Sequence, residues 1–308
     1  MRSDPKAPME DLNFILIDRS GALVSEWTRA FTEHIQDRAL RARFTPLTLH
    51  SGALADLDAA HKQFDCVVSP ANSYGRLDGG KPLSRSPTMF RSEMTALLTR
   101  FSQPTFFYPI LRFDQAISDA LSPTDPHLPT QLAQSLLYDR WKGYAPPGTC
   151  TLLSLADTSC TPNAHGCAYI ALCPTMRVPQ DATWDREVVY NTMWALLVEL
   201  EKHNRQAVAS GSRESSISNV HDGISGGASD GTLTKELHSE SPCTPIRTVL
   251  MTGFGTGTGK LSAARCAQQM ALAVEHFADA CAHPRKWSAL EWDDAFSYAD
   301  EVKLTHTL

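Results

Sequence analysis

Residues 246–281 read IRTVLMTGFGTGTGKLSAARCAQQMALAVEHFADAC, and local rules divide them into three pieces. Ile246 to Met251 is a short apolar run rich in β-branched residues and predicts a strand. Leu261 to Cys281 is rich in alanine, with Ser262 placed to cap its first turn, and predicts a helix. Between them lie Gly253, Phe254, Gly255, Thr256, Gly257, Thr258 and Gly259. Such a loop, feeding a helix N-terminus, lets backbone amides approach a ligand closely, and phosphate is the natural guest. A glycine-rich turn without a ligand is the competing reading. Phe254 and Leu261 stand where a P-loop needs its first Gly and its Ser or Thr. A dinucleotide fingerprint sits on an early strand, whereas this loop follows the last predicted one.

Strand followed by helix recurs upstream. NFILI from Asn13 to Ile17 predicts a strand, and Trp27, Phe31 and Ile35 at spacing four predict an amphipathic helix from Trp27 to Ile35. Phe44 to Leu49 and Phe64 to Val68 read as further strands. Gln131 to Trp141 reads as a helix, Thr149 to Leu155 and Cys167 to Cys173 as strands, and Asp185 to His203 as a long helix. The alternation predicts an α/β fold with a mixed or parallel sheet covered on both faces.

The 308 residues are ample for a sizeable core and exclude a miniprotein. A formal net charge of -6 leaves no chain-wide field to pull the protein onto nucleic acid or an anionic membrane, so any phosphate-bearing partner must be held locally. No run approaches the roughly 20 apolar residues that span a membrane. The opening MRSDPKAPMEDLNFILID puts charge where a signal peptide is apolar. The expectation is an intracellular protein, cytoplasmic and/or nuclear, with no membrane partner and no direct nucleic acid partner. The 8 cysteines are scattered, several of them inside apolar runs, which suits reduced thiols.

Two segments break the rhythm. Residues 204–243 are dominated by Ser, Gly and small polar residues, a composition that predicts a disordered loop. Residues 81–112 are basic and aromatic, with Glu93 as their single acid. They read either as an inserted arm or as a translated intervening sequence.

The strand from Phe64 to Val68 runs into Ser69-Pro70-Ala71-Asn72-Ser73-Tyr74-Gly75-Arg76-Leu77-Asp78-Gly79-Gly80. An amide, a phenol and a carboxylate thus gather at one strand end, where open α/β sheets bind ligands. Turns use the same residue types. Together, VVSPANSYGRLDGG and GFGTGTGKLS resemble the two ligand loops of the macro domain family. In that family an aspartate follows the asparagine by ten positions. When residues 81–112 are lifted out, Gly80 joins Phe113 and the tenth residue after Asn72 is Asp114.

The resemblance runs from about Asn13 to Cys281. It implies a three-layer α/β/α domain with a mixed, mostly parallel sheet, spanning residues 1–285 with the two odd segments as insertions and 286–308 as a tail. It implies ADP-ribose or a related ADP-ribosyl metabolite as ligand, ADP-ribosylated proteins as further partners, and no cofactor or metal. Hydrolysis of ADP-ribosyl esters or of ADP-ribose 1''-phosphate is the implied chemistry. The alternatives are a non-catalytic reader and a binder of another phosphorylated nucleotide. By the same resemblance Asn72 faces the distal ribose and Asp114 positions a water. Ser69, Ala71, Tyr74, Gly79 and Gly80 line the first loop, and Gly253 to Gly259 embrace the diphosphate. One departure is Ser51-Gly52-Ala53-Leu54, where Ala53 replaces the carboxylate that reads the adenine amine.

Cys160, His165, Cys167 and Cys173 lack the spacing of a zinc knuckle and read as buried strand and loop residues. Asp157, Ser159 and His165 lack a nucleophile elbow. Trp184, Met193 and Trp194 read as packing residues, and Trp287, Trp292 and Phe296 as packing back on the domain, the alternative being a small partner-facing patch.

Overall fold

The computed structural model describes residues 11–70, 72–78, 113–218 and 244–308. Six strands form one sheet: β1 (Asn13–Asp18), β2 (Phe44–Thr48), β3 (Cys66–Ser69), β4 (Thr151–Ser154), β5 (Tyr169–Leu172) and β6 (Thr248–Met251). Their order is β2-β1-β6-β3-β5-β4, parallel throughout except for β4 against β5. The helices are α1 (Ala22–His34), α2 (Arg38–Arg41), α3 (Phe113–Leu121), α4 (Leu128–Trp141), α5 (Val188–Ser218), α6 (Ala263–Ala282), α7 (Pro284–Trp287) and α8 (Trp292–Leu304).

Side chains alternate across the sheet, so each strand serves two cores. Phe14, Leu16, Val68, Ala171, Val249 and Met251 pack with Trp27 and Phe31 of α1, Met193 and Leu196 of α5, and Met270 and Val274 of α6. Ile15, Ile17, Val67, Ile170, Leu172 and Leu250 pack on the other face with Ile117 and Leu121 of α3 and Ala133 and Leu137 of α4. Helices therefore cover both faces, as a sheet this apolar requires. Trp27 anchors the first core. It is 0% exposed, and its indole N–H donates to the Met270 sulfur at 3.3 Å.

One residue sets the register of the sheet's middle. The Asp65 carboxylate accepts the amides of Arg247 and Thr248, both at 2.8 Å. Its own amide donates to the Thr248 carbonyl at 2.9 Å, and its carbonyl accepts the amides of Ala168 and Tyr169 at 2.9 and 3.0 Å. The starts of β3, β5 and β6 are thereby tied together.

The sheet's two edges differ. Phe14 N donates to the Arg43 carbonyl and Leu49 N to that of Asp18, so Thr45 and Leu47 point their amides at β1. Pro46 stands at the outward position, where its missing N–H denies a donor to any further strand. β4 carries no such block.

The long helix begins at Val188 rather than Asp185 and continues to Ser218, which corrects the expectation of a loop from residue 204. Composition is overridden by docking. The Asn204 amide exchanges two 2.7 Å bonds with the backbone of Ile246, and Ala207 is buried. Residues 219–243, the remainder of that expectation, lie outside the described residues, as do residues 81–112. The residues read as a tail fold back on α6. Trp287 lies 5.4 Å from Trp194 and 4.6 Å from Tyr298, and the Asp279 carboxylate accepts the Trp287 N–H and the Tyr298 hydroxyl. Trp292 and Phe296 depart from the packed alternative. They stack on each other at 5.7 Å while 76% and 55% exposed. The described cysteines are free thiols, and burial pushes those of Cys167 and Cys266 up to about 12, which keeps them unreactive. No described helix is long and apolar enough to cross a membrane.

Trp27→Ala is expected to destabilise the fold by about 3–5 kcal/mol, read from urea unfolding, because the surrounding helices cannot collapse onto the cavity. A second expectation concerns acid. His276 is 3% exposed between the Tyr190 hydroxyl at 3.0 Å and the Glu301 carboxylate at 3.1 Å. Burial holds its pKa below the ordinary imidazole value, although Glu301 opposes this. A base depressed in the folded state contributes stability at neutral pH that is lost as pH falls below the unfolded value of about 6.5. Unfolding free energy should therefore drop from about pH 7 to pH 5, and His276→Gln should flatten that slope.

Candidate functional site

β3 and β6 are neighbours and run parallel, so the loops at their C-terminal ends emerge side by side. β3 ends at Ser69, fully buried, whose hydroxyl donates to the Asp114 carboxylate at 2.7 Å. Asp114 lies in the first turn of α3, where a carboxylate also suits the helix dipole. Strand end and helix start are thus joined by a charge-assisted bond.

Asn72 organises its own loop. Its side-chain carbonyl accepts the amides of Tyr74 at 3.1 Å and Arg76 at 3.4 Å, while its NH₂ donates to the Arg76 carbonyl at 3.0 Å. This is a closed turn built on an Asx side chain. The loop is then fastened to two helices. Leu77 N donates to Thr130 Oγ1 of α4 at 2.9 Å, and Ser118 Oγ of α3 donates to the Leu77 carbonyl at 2.8 Å. Asp78 is buried and bonded to the Arg76 guanidinium. Tyr74 is 38% exposed and lies 5.8 Å from the Tyr144 ring. Ala71, Gly79 and Gly80 lie outside the described residues.

The β6 loop winds tightly. Its carbonyls turn inward: Gly255 accepts from Leu261 N at 3.1 Å, Gly257 from Lys260 N at 3.1 Å, and Gly259 from Ala182 N at 3.0 Å. The amides of Gly255, Thr256, Gly257, Thr258 and Gly259 meet no acceptor among the described residues. Gly257 and Thr258 are exposed, and Thr256 partly so. Phe254 differs from its expected place at the ligand. Its side chain is fully buried in the core beneath the loop, and its amide faces the Cys266 sulfur. Gly253 likewise packs against Leu23 and Cys266.

A third loop joins the other two, and sequence reasoning missed it. Met176, after β5, bridges Asn72, and its methyl lies 3.0 Å from where a Cβ on Gly259 would stand. Ala182 donates to Gly259, Asp181 pairs with Lys260 at 3.5 Å, and the Arg177 guanidinium lies 4.9 Å from the Tyr144 ring centroid. The available signal was positional: CAYIALC is a strand next to β3, and its C-terminal end opens onto the same crevice.

The four residues weighed for zinc do not converge. Cys160 and Cys167 belong to one core and Cys173 to the other, while His165 Nδ1 bonds to the Lys62 carbonyl at 2.9 Å and its ring stacks on Phe64. Among the described residues no group of His, Cys, Asp and Glu is disposed to hold a metal ion.

The site can therefore hold an anion by backbone amides at the end of β6, with polar and aromatic groups beside it at the end of β3. No family model matches the chain, and no curated protein matches it.

Gly255 and Gly257 separate loop shape from loop occupancy. Gly255 has φ +68, and an added Cβ would meet Leu261 Cδ1 at 2.6 Å, whereas one on Gly257 meets nothing within 4 Å. Gly255→Ala should cost at least about 1–2 kcal/mol in chemical unfolding. Gly257→Ala should stay within about 0.5 kcal/mol of the parent.

Proposed function

We propose that the chain is a divergent macro domain that binds ADP-ribose or a related ADP-ribosyl metabolite. The observation that carries the reading is the run of amides from Gly255 to Gly259 without protein acceptors among the described residues, opening beside the β3 loop. A diphosphate satisfies such donors, and fixed dipoles hold a dianion without a formal positive charge. That suits a chain whose net charge is -6. The Ser69 and Asp114 pair lies at the end of β3, the strand beside β6.

Under the hydrolytic reading, Asp114 orients a water toward the distal ribose, the ligand's diphosphate helps to hold that water, and the Asn72 turn shapes the wall against which the ribose rests. A specific observation favours the second reading, a non-catalytic reader of ADP-ribosylated proteins. Asn72 commits both ends of its amide to Tyr74 and Arg76, and Asp114 accepts from Ser69, so both act as scaffold. Ala53 supports the third alternative, another phosphorylated nucleotide. It precedes the turn Leu54–Asp56 with no side-chain group to bond an adenine amine.

Calorimetric titration tests the reading. ADP-ribose should bind with micromolar affinity, about 8 kcal/mol, and more tightly than AMP or ribose 5-phosphate. Thr258→Glu, which sets a carboxylate at the exposed amides, should weaken binding more than tenfold. No binding of ADP-ribose, or equal binding by the variant, would overturn the proposal. Single-turnover assays then separate the readings: loss of hydrolysis with retained binding in Asp114→Asn identifies the enzyme, and no hydrolysis by the parent identifies the reader.

A further inference from the structure

The start of β4 forms the floor of a cleft of about 430 Å³. One wall is the C-terminal end of α4, with Arg140 and Trp141, and the other is α5, with Glu199, Lys202, His203 and Gln206. Cys150, Thr151 and Leu152 form the floor. The Trp141 indole N–H donates to Thr151 Oγ1 at 2.8 Å, which fixes the wall to the strand.

The ladder decides which way the floor's backbone points. Leu155 N donates to the Ala168 carbonyl, and the antiparallel register pairs Thr151 with Leu172 and Leu153 with Ile170. In such a ladder, paired residues alternate between exchanging both backbone bonds and turning away from each other. Thr151, Leu153 and Leu155 therefore bond to β5, and Leu152 and Ser154 turn their N–H and C=O groups outward. Among the described residues nothing accepts from or donates to those outward groups. The opposite edge carries Pro46 at an outward position, where a donor is missing, whereas the described residues of β4 carry no such block to strand addition.

We infer that β4 receives an extended acidic peptide from a partner protein, which adds a strand to the sheet by pairing with Leu152 and Ser154. Backbone pairing supplies the affinity in this mode, and alternate side chains supply the choice of partner. The charge on the walls selects an acidic segment. Lys202 is paired with Glu199 at 3.4 Å, so the positive charge left over in the lining is that of Arg140, which is exposed and makes no ion pair among the described residues. On a chain of net charge -6 this is a local positive rim. A second copy fits less well. Its own β4 edge is rimmed by the same Arg140, and the two like charges would oppose each other.

The probe is an end-capped hexapeptide of alternating valine and glutamate, titrated into the full chain beside its valine and lysine counterpart. The glutamate peptide should bind and protect the amides of Leu152 and Ser154 from hydrogen exchange. Its affinity should fall about tenfold in Leu152→Pro, where the lost N–H points away from β5 and the ladder stays intact. The surface change Arg140→Glu should give a similar loss without touching the strand. No binding at millimolar peptide, equal binding of the two peptides, or unchanged affinity in Arg140→Glu would overturn the proposal. Protection of both amides in the free chain would overturn it in favour of cover by the chain itself, and protection that grows with protein concentration in favour of a second copy.

Discussion

Asp65 ties together the starts of three neighbouring strands at the middle of the sheet. Its carboxylate and backbone together engage Arg247, Thr248, Ala168 and Tyr169, so β3, β5 and β6 start in a fixed register. A one-residue slip would turn every core residue of β6 to the opposite face. Val249 and Met251 would leave the α1, α5 and α6 core, and Leu250 would leave the other. The same register sets where β3 and β6 end, and hence where the loops at Ser69 and Gly253 open.

Two kinds of rigidity meet at those loops. The β3 loop is held by side chains, through Asn72, Thr130, Ser118 and the Arg76 and Asp78 pair. The β6 loop is held by its own carbonyls and by the absence of Cβ atoms at Gly255 and Gly259. Its carbonyls are used for shape, and the amides of Gly255 to Gly259 meet no acceptor among the described residues. A loop organised this way does not need to rearrange on binding, which lowers the entropic cost of ligand capture.

Local features of the fold were legible in the residues. Ser262 caps α6 by accepting the Arg265 amide, and the helix read from Gln131 to Trp141 lies within α4. Each rests on a rule that needs only neighbours in sequence. The place of β6 between β1 and β3 was not legible, because it depends on pairing between distant segments. The continuation of α5 past His203 was hidden by its composition and depends on Asn204 meeting Ile246. At the site, the glycine pattern pointed to the β6 loop, but periodicity is silent on which way an amide faces. Asn72 was visible as a residue type and its inward use was not. Met176 carries no chemical signature and matters through contact alone.

β6 occupies the centre of the sheet although it is the last of the described strands in chain order. Asn13 pairs with Thr248, so β1 lacks its β6 partner until more than 200 further residues have been made. Until then β1 and β3 both present bare, apolar edges, which are prone to pair with strands of other nascent chains. Contacts this distant in sequence also slow the search for the native sheet. Closing the sheet is therefore a late step of biosynthesis, and the crevice between the β3 and β6 loops comes into existence only with it.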